Sequence, residues 1–540
     1  MSATKNPSRL EISHFAVAIT AFALASVLAV LQALVRADVA VPMKSESLYY
    51  ISVTTHGVLM ALVYTTFFIM GLGYCFARAT VGLEWTRIAW VSFWIALFGS
   101  LMTTASILSG KSTVLYTFYP PLQAHWTFYV GATLLVVGSW GFCAVMIRSY
   151  LAWRRGHRTE PVPLAMHGML ATIAIWLLAT AGLAVEMLTM LIPWSLGLIE
   201  RVDPAIARTW FWWFGHPLTY FWLVPAYVVW YTVLPKHAGG KLFSDKLTRV
   251  VFVMFILFST PVGFHHQFSD PGISSSWKLL HTLTTYAILF PSFVTAFTVT
   301  ASLEVAGRMK GKKGLFDWIG VLPWRDPLFS SVVLAMLTFG IGGFGGAINA
   351  AYAMNTMVHN TAWIQGHFHL TVGTAVALTF MGVTYWLLPR ILGRELRFAP
   401  LAAVQPYLWF FGMMLFSIPS HIVGLMGMPR RIYTAELFGS PVARTWQPFS
   451  TASAAGGVIL FVSAMLYVVV VAGTALWGRR SDGQKIEFSD PLEGAPEYGR
   501  WDRFAIWATL AVVLIVLAYA VPISHLYMME RFPSLPQMPF

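Results

Sequence analysis

The chain has 540 residues, 57% of them hydrophobic and 11% charged, with a mean hydropathy of +0.67. That composition excludes the string of soluble domains that such a length would otherwise imply. It leaves one all-α, polytopic membrane domain over 1–540, and the formal charge of +13 has to be read in that setting.

Apolar runs long enough to cross about 30 Å of hydrocarbon as helices recur from end to end. In chain order they fall at about 14–36, 50–74, 88–109, 125–147, 165–193, 207–235, 250–268, 275–306, 328–356, 362–389, 402–426, 451–477 and 504–524, thirteen spans in all. The first begins near Met1 but lacks a small-residue cleavage site, so it reads as a retained helix. Thirteen spans put the termini on opposite sides. A cytoplasmic N-terminus places 25 of the 35 Lys and Arg in cytoplasmic loops, among them RSYLAWRRGHR and GRMKGKKG. This is the positive-inside bias; the charge sets topology and calls for no nucleic acid. The two cysteines, Cys75 and Cys143, form no CxxC or CxxCH, which excludes covalent c-type haem and thiolate copper or iron–sulfur sites within this chain. Both are read near helix ends.

Six of the 15 histidines sit at mid-helix or helix-end positions in apolar surroundings with few carboxylates: His56, His216, His265, His266, His367 and His369. Polar groups at membrane depth are costly, and a metal explains how several imidazoles tolerate burial, since neutral imidazole is a good ligand for copper and iron. In TAWIQGHFHLTVG, His367 and His369 are two residues apart and so lie roughly 200° apart around a helix. They point to opposite flanks, each toward a separate cofactor, with His56 as a candidate opposite ligand. Gly366 is expected to let a flat macrocycle approach the backbone.

FWWFGHPLTYFW carries His216 and Tyr220 at i,i+4 on one face, with Pro217 able to bend the helix. His265 and His266 are adjacent and would diverge on a regular helix, but PVGFHHQFSDPG, with Pro261, Gly263, Pro271 and Gly272, favours a helix end where both rings can turn to one metal. With His216 they make a three-nitrogen site that suits copper. Tyr220, Tyr227 and Tyr231 fall at i, i+7 and i+11, within about 20° of one face and about 16 Å long. Ser292, Thr295 and Thr298 form a second hydroxyl stripe, and the two stripes are expected to face each other as a proton path. Glu186 is an intramembrane carboxylate and thus a second-tier functional candidate. His14, His157, His237 and His525 read as surface residues.

The motifs WWFGHPLTYFWLVPAY, STPVGFHHQFSDPGI, HNTAWIQGHFHL and THGVLMALVY resemble subunit I of the haem–copper oxidases over essentially the whole length, and most closely the B family of cytochrome ba-type cytochrome c oxidases. The resemblance implies that His56 and His369 are axial ligands of a low-spin haem, of b type. It implies that His367 is the proximal ligand of a high-spin haem, of a type, and that His216, His265 and His266 hold one copper ion. Tyr220 would be joined covalently to His216 and contribute an electron and a proton when dioxygen is reduced to water. Arg430 and Arg431 of MPRRIY match the pair that holds haem propionates, with His359 near them, and the hydroxyl stripes resemble a K-type path. HPLTY lacks the Glu of A-family HPEVY, which implies no D-type path, and His359-Asn360-Thr361 lacks the Asp of their HDT, which puts their magnesium site in doubt.

A second subunit carrying a dinuclear copper centre, a cytochrome c or similar donor, dioxygen and membrane lipid are the implied partners. The implied location is a bacterial or archaeal cytoplasmic (inner) membrane, with proton pumping. Two other readings compete. Nitric oxide reductases use the same six histidines with non-haem iron and nearby glutamates but lack the Tyr220 equivalent. A secondary transporter needs no haem at all.

Overall fold

A computed structural model describes residues 9–39, 45–433, 439–482 and 485–529. Among these residues there is no strand; twelve helices are long and apolar enough to cross a membrane. We number the crossings α1 (Arg9–Arg36), α2 (Glu46–Thr80), α3 (Thr86–Leu108), α4 (Trp126–Gly156), α5 (Leu164–Ser195), α6 (Pro204–His237), α7 (Asp245–Phe258), α8 (Ser275–Met309), α9 (Pro327–Ala350), α10 (Ala362–Leu392), α11 (Ala399–Leu425), α12 (Pro441–Trp477) and α13 (Phe504–Met528). Helix starts carry the expected chemistry. Asp203 accepts from the backbone N–H of Ala205 at 2.8 Å and Ile206 at 3.1 Å, with Pro204 in the first turn. Asp326 and Pro327 repeat the arrangement at α9, where Phe329 N–H donates at 2.8 Å, so orphan donors are met at both ends.

The seventh expected span, 250–268, is built differently from the others. Its helix, α7, has 14 residues, and after Phe258 the chain breaks and tightens into a 3-10 turn over Gly263–Gln267. Pro261 explains the break. The backbone groups it frees are met by side chains, as an irregular segment inside a bilayer requires. Tyr519 accepts from Gly263 N–H at 2.9 Å, His281 Nδ1 from Phe264 N–H at 3.2 Å, and Thr284 donates to the Pro261 carbonyl at 2.8 Å.

The helices that carry histidines are the innermost. In the most apolar windows of α2, α6 and α10, 89%, 89% and 83% of residues are buried, against 22% in α13, so His56, His216, His367 and His369 sit on the innermost helices and α13 at the rim. Both α2 and α10 loosen into a π turn just beyond their histidines, at Leu59–Tyr64 and Thr371–Val376; such turns recur at functional sites. Cys75 and Cys143 are both buried, inside α2 and α4 and not at their ends. His14, read as a surface residue, is fully buried among Phe67, Tyr74 and Phe93 with Nδ1 2.7 Å from the Leu10 carbonyl. Its helix starts at Arg9 and lies deeper than the sequence pattern shows.

At the face where α7 begins, Arg249 ties three segments together. Its guanidinium meets Asp245 at 2.5 Å, Asp502 at 2.8 Å and the Val162 carbonyl at 2.9 Å. Arg249→Met would strand two buried carboxylates, at a cost of about 3–5 kcal/mol. Arg308→Met, which breaks the half-exposed Arg308–Glu304 pair, would cost about 0–1 kcal/mol. Thermal unfolding of the two purified variants should therefore show a large loss for the first and almost none for the second.

Candidate haem–copper site

The three nitrogen bases expected at one metal are together. Ligand atoms of His216, His265 and His266 all lie within 4.8 Å of one another, and theirs is the one such group of three or more His, Cys, Asp or Glu among the described residues. His216 comes from α6; the adjacent pair comes from the 3-10 turn, whose tight winding brings both rings to the same side. The hydrogen bonding leaves bare lone pairs. Thr285 donates to the His281 carbonyl at 2.5 Å, so its oxygen accepts at 3.0 Å from His265 Nδ1. Nε2 of His265 then carries no proton in the neutral ring. His216 Nδ1 faces His266 Nε2 at 3.3 Å, and His216 Nε2 is buried without a partner. The His266 ring lies flat on Trp212, 3.6 Å between centroids and 7° between planes, which fixes its orientation.

The other three histidines follow one rule. His56 Nδ1 lies 3.0 Å from the Ala25 carbonyl, His367 Nδ1 2.8 Å from the Gly342 carbonyl, and His369 Nδ1 2.8 Å from the Gln365 carbonyl. A carbonyl can only accept, so Nδ1 carries the proton in each ring and Nε2 is left as a bare donor for iron. His367 lies against α9, where a Cβ on Gly345 would come within 3.0 Å of its Nδ1. His369 lies against Phe416 of α11, 4.7 Å between rings. The two point to opposite flanks of α10.

All six histidines line one cavity of about 640 Å³, together with Tyr220 and four arginines: Arg36, Arg208, Arg430 and Arg431. Among the described residues no Asp or Glu lines it. Arg430 donates to Asn360 Oδ1 at 2.9 Å, and its backbone N–H donates to the Asn360 carbonyl at 3.0 Å. The arginine pair is thereby pinned to the start of the helix that carries His367 and His369. Asn360 adopts φ +58°, a conformation that asparagine tolerates well. Burial, and then Arg431 beside it, pull the Arg430 guanidinium down to about 10. Burial pushes the Tyr116 phenol up, but Arg431 and Arg430 outweigh it and hold it below its ordinary range. His359 Nδ1 lies 3.2 Å from Asn355 Oδ1, and burial followed by Arg430 lowers its pKa.

The two hydroxyl stripes meet. Tyr227 donates to Ser292 at 3.3 Å and Tyr231 to Thr295 at 2.7 Å. Thr295 also donates to its own helix at the Pro291 carbonyl, 2.7 Å away. The Thr298 hydroxyl is buried without a partner. Tyr220 stands beside His216 with 5.1 Å between ring centroids, and both Tyr220 and Ser292 reach the cavity. Glu186 is fully buried with both carboxylate oxygens unpartnered, and it does not line the cavity.

One expectation is corrected. Gly366 faces no macrocycle: a Cβ there would lie 2.5 Å from His421 Nδ1 and 2.8 Å from the Ser417 carbonyl. The glycine lets α10 and α11 touch, as small residues do in membrane bundles. Sequence reasoning missed Arg36, whose Nη1 donates to Gln365 Oε1 at 2.5 Å, and Arg208, which pairs with Asp270 at 3.1 Å. Arg36 carried a signal: by the charge bias it lies on the outer side, where arginines are sparse. Gly366→Ala should force α10 from α11 and cost about 1–3 kcal/mol. The check is a lower unfolding temperature of the purified variant.

Residues 9–459 match the sequence profile of cytochrome c and quinol oxidase polypeptide I. Cytochrome c oxidase subunit 1 of Thermus thermophilus is 42% identical over 490 residues, covering 89% of this chain and 86% of the relative. The haem-copper oxidase subunit I+III of Aeropyrum pernix is 27% identical over 492 residues, covering 85% of this chain and 56% of that longer protein. Among solved structures, a heme-copper terminal oxidase dimer matches with a TM-score of 0.92 and 36% identity, over 96% of this chain and 93% of the other. The chain belongs to the cytochrome c and quinol oxidase polypeptide I family and is the catalytic subunit of a haem–copper terminal oxidase.

Proposed function

We propose that the chain is a B-type, proton-pumping cytochrome c oxidase subunit in which His56 and His369 hold a low-spin b-type haem, His367 holds a high-spin a-type haem, and His216, His265 and His266 hold one copper. The observation that carries the ligand assignment is the inventory of nitrogens. Four rings spend one nitrogen on a protein acceptor and keep the other bare, while His216 Nδ1 faces His266 Nε2 and His216 Nε2 is buried without a protein partner. Such a set fits metal ions and is poorly satisfied without them. When bound, the haem iron and copper supply the electrons and the binding site for dioxygen.

The chain's own residues do the rest. The four arginines present positive charge to a cavity that no Asp or Glu among the described residues lines, and Arg208 is paired to Asp270; Arg430 and Arg431 would hold the haem propionates. Tyr220 stands at the inner end of the hydroxyl ladder with its proton on Oη. The ladder of Tyr227, Ser292, Tyr231, Thr295 and Thr298 would pass protons toward it from the basic face. His216 Nδ1 faces His266, which leaves Nε2 as the nitrogen available for a bond to Tyr220. A nitric oxide reductase-like site, with non-haem iron and glutamates, is disfavoured by a cavity that no carboxylate lines and by Tyr220 beside His216. A second subunit with the dinuclear copper centre would bring electrons from cytochrome c, in a bacterial or archaeal inner membrane with the N-terminus cytoplasmic.

Metal analysis of the purified complex should give two irons and three coppers, one copper held by this chain and two by the dinuclear centre of the second subunit. His265→Asn should lose one copper and leave the low-spin haem spectrum intact; two irons with only two coppers in the native complex would overturn the assignment. Tyr231→Phe and Thr295→Val should each lower kcat by about tenfold, about 1.4 kcal/mol on the barrier, with both metals retained. Normal turnover in both variants would remove the proton path.

A further inference from the structure

A second cavity, of about 540 Å³, opens on the basic face between the ends of α6 and α10 and the segment before α13. It is lined by Lys236, His237, Trp386, Arg390, Lys485 and Glu487, none of which reaches the haem–copper cavity. Three of these side chains are cationic and one is a carboxylate. That carboxylate is spent, since Lys236 Nζ lies 2.7 Å from Glu487. Asp326, the next acidic group, caps α9 and lies 3.9 Å from His237.

Arg390 is the telling residue. It is half-buried at the end of α10, with its guanidinium 5.1 Å from the Trp386 ring centroid. Among the described residues its one hydrogen bond runs from Nη1 to the Trp386 carbonyl at 2.6 Å, and its Nε is buried without a partner. A guanidinium offers five donors in a fixed fork. Water could meet some of these but would not balance the charge. A phosphate group does both, because its oxygens accept bidentate arginine bonds, and with Glu487 and Asp326 set against Lys236, Arg390 and Lys485 one positive charge is left for a singly charged phosphodiester. Basic pockets between membrane helices suit phosphate head groups.

We propose that this cavity binds one phosphate-bearing anion, held by Arg390 and Lys485, with the phosphodiester of an anionic membrane lipid as its source. The site stands apart from the haem–copper assignment and does not depend on it.

The test is native mass spectrometry of the purified oxidase complex carrying wild-type chain, Arg390→Gln or Lys485→Gln. Each is titrated with phosphatidylglycerol, with phosphatidylcholine and with inorganic phosphate. Lys485 is exposed, so its replacement leaves folding intact, and an unchanged visible spectrum verifies this in both variants. The wild type should retain one phosphatidylglycerol, and each variant should bind it about tenfold more weakly, while phosphatidylcholine shows no such difference. Variant-sensitive binding of inorganic phosphate without phosphatidylglycerol would keep the anion site and make free phosphate its source, overturning the lipid assignment. Equal binding of both probes to wild type and variants would overturn the proposal.

Discussion

An imidazole has two nitrogens, and a backbone carbonyl can satisfy only one of them. The Ala25, Gly342 and Gln365 carbonyls take the Nδ1 protons of His56, His367 and His369, and the geometry of the site follows from that. Each ring is held in one tautomer and one orientation, with Nε2 turned into the cavity. A bundle interior offers few other acceptors, so a ring oriented in this way is poised for a metal before one arrives. The carbonyls come from α1, α9 and α10, which means that the packing of three helices, more than any side-chain network, sets the ligand directions.

The same bundle needs one irregular segment to bring His265 and His266 to His216 at the proposed copper site. Adjacent histidines on a regular helix diverge, and the 3-10 turn after α7 removes the divergence. Its freed backbone groups are met by Tyr519, His281 and Thr284, two of them from α8 and one from α13. The turn therefore exists only when these helices are docked. Thr285, one residue beyond Thr284, orients His265, so α8 braces the backbone of the turn and aims one of its ligands. Further along the same face of α8 stand Ser292 and Thr295, which meet Tyr227 and Tyr231. One helix thus couples the placement of the copper ligands to that of the hydroxyl ladder.

What could be read from the sequence was whatever obeys a fixed spacing. His367 and His369 point apart because i and i+2 do so on any helix, and the ladder faces α8 because i, i+7 and i+11 share a side. The thirteen spans were legible as apolar runs; twelve stand as helices long and apolar enough to cross, and the seventh as a 14-residue helix followed by a turn. What could not be read depends on neighbours far along the chain. A glycine announces that something comes close but not what, so Gly366 was assigned to a macrocycle when it faces His421. Backbone carbonyls leave no trace in the residue types that bear them, and the orienting role of Ala25 and Gln365 was invisible. His14 lies near the start of the described chain, where apolar pattern alone does not report depth; Phe67 and Phe93 from two other helices bury it.

Charge divides the molecule into two kinds of site. In the main cavity, four arginines face space that no Asp or Glu among the described residues lines, which suits a cavity completed by an anionic group. At the basic face the same imbalance recurs around Arg390 at smaller scale, but with a carboxylate already bound to Lys236. In both places an arginine with spare donors lies against an aromatic ring, Arg431 5.1 Å from Tyr116 and Arg390 5.1 Å from Trp386. The ring covers one face of the guanidinium, and in each case one donor, Arg390 Nε or Arg431 Nη2, is buried without a protein partner. An arginine braced in this way loses little freedom when an anion arrives, which is why uncompensated, ring-backed arginines mark the places where this bundle is finished by something other than protein.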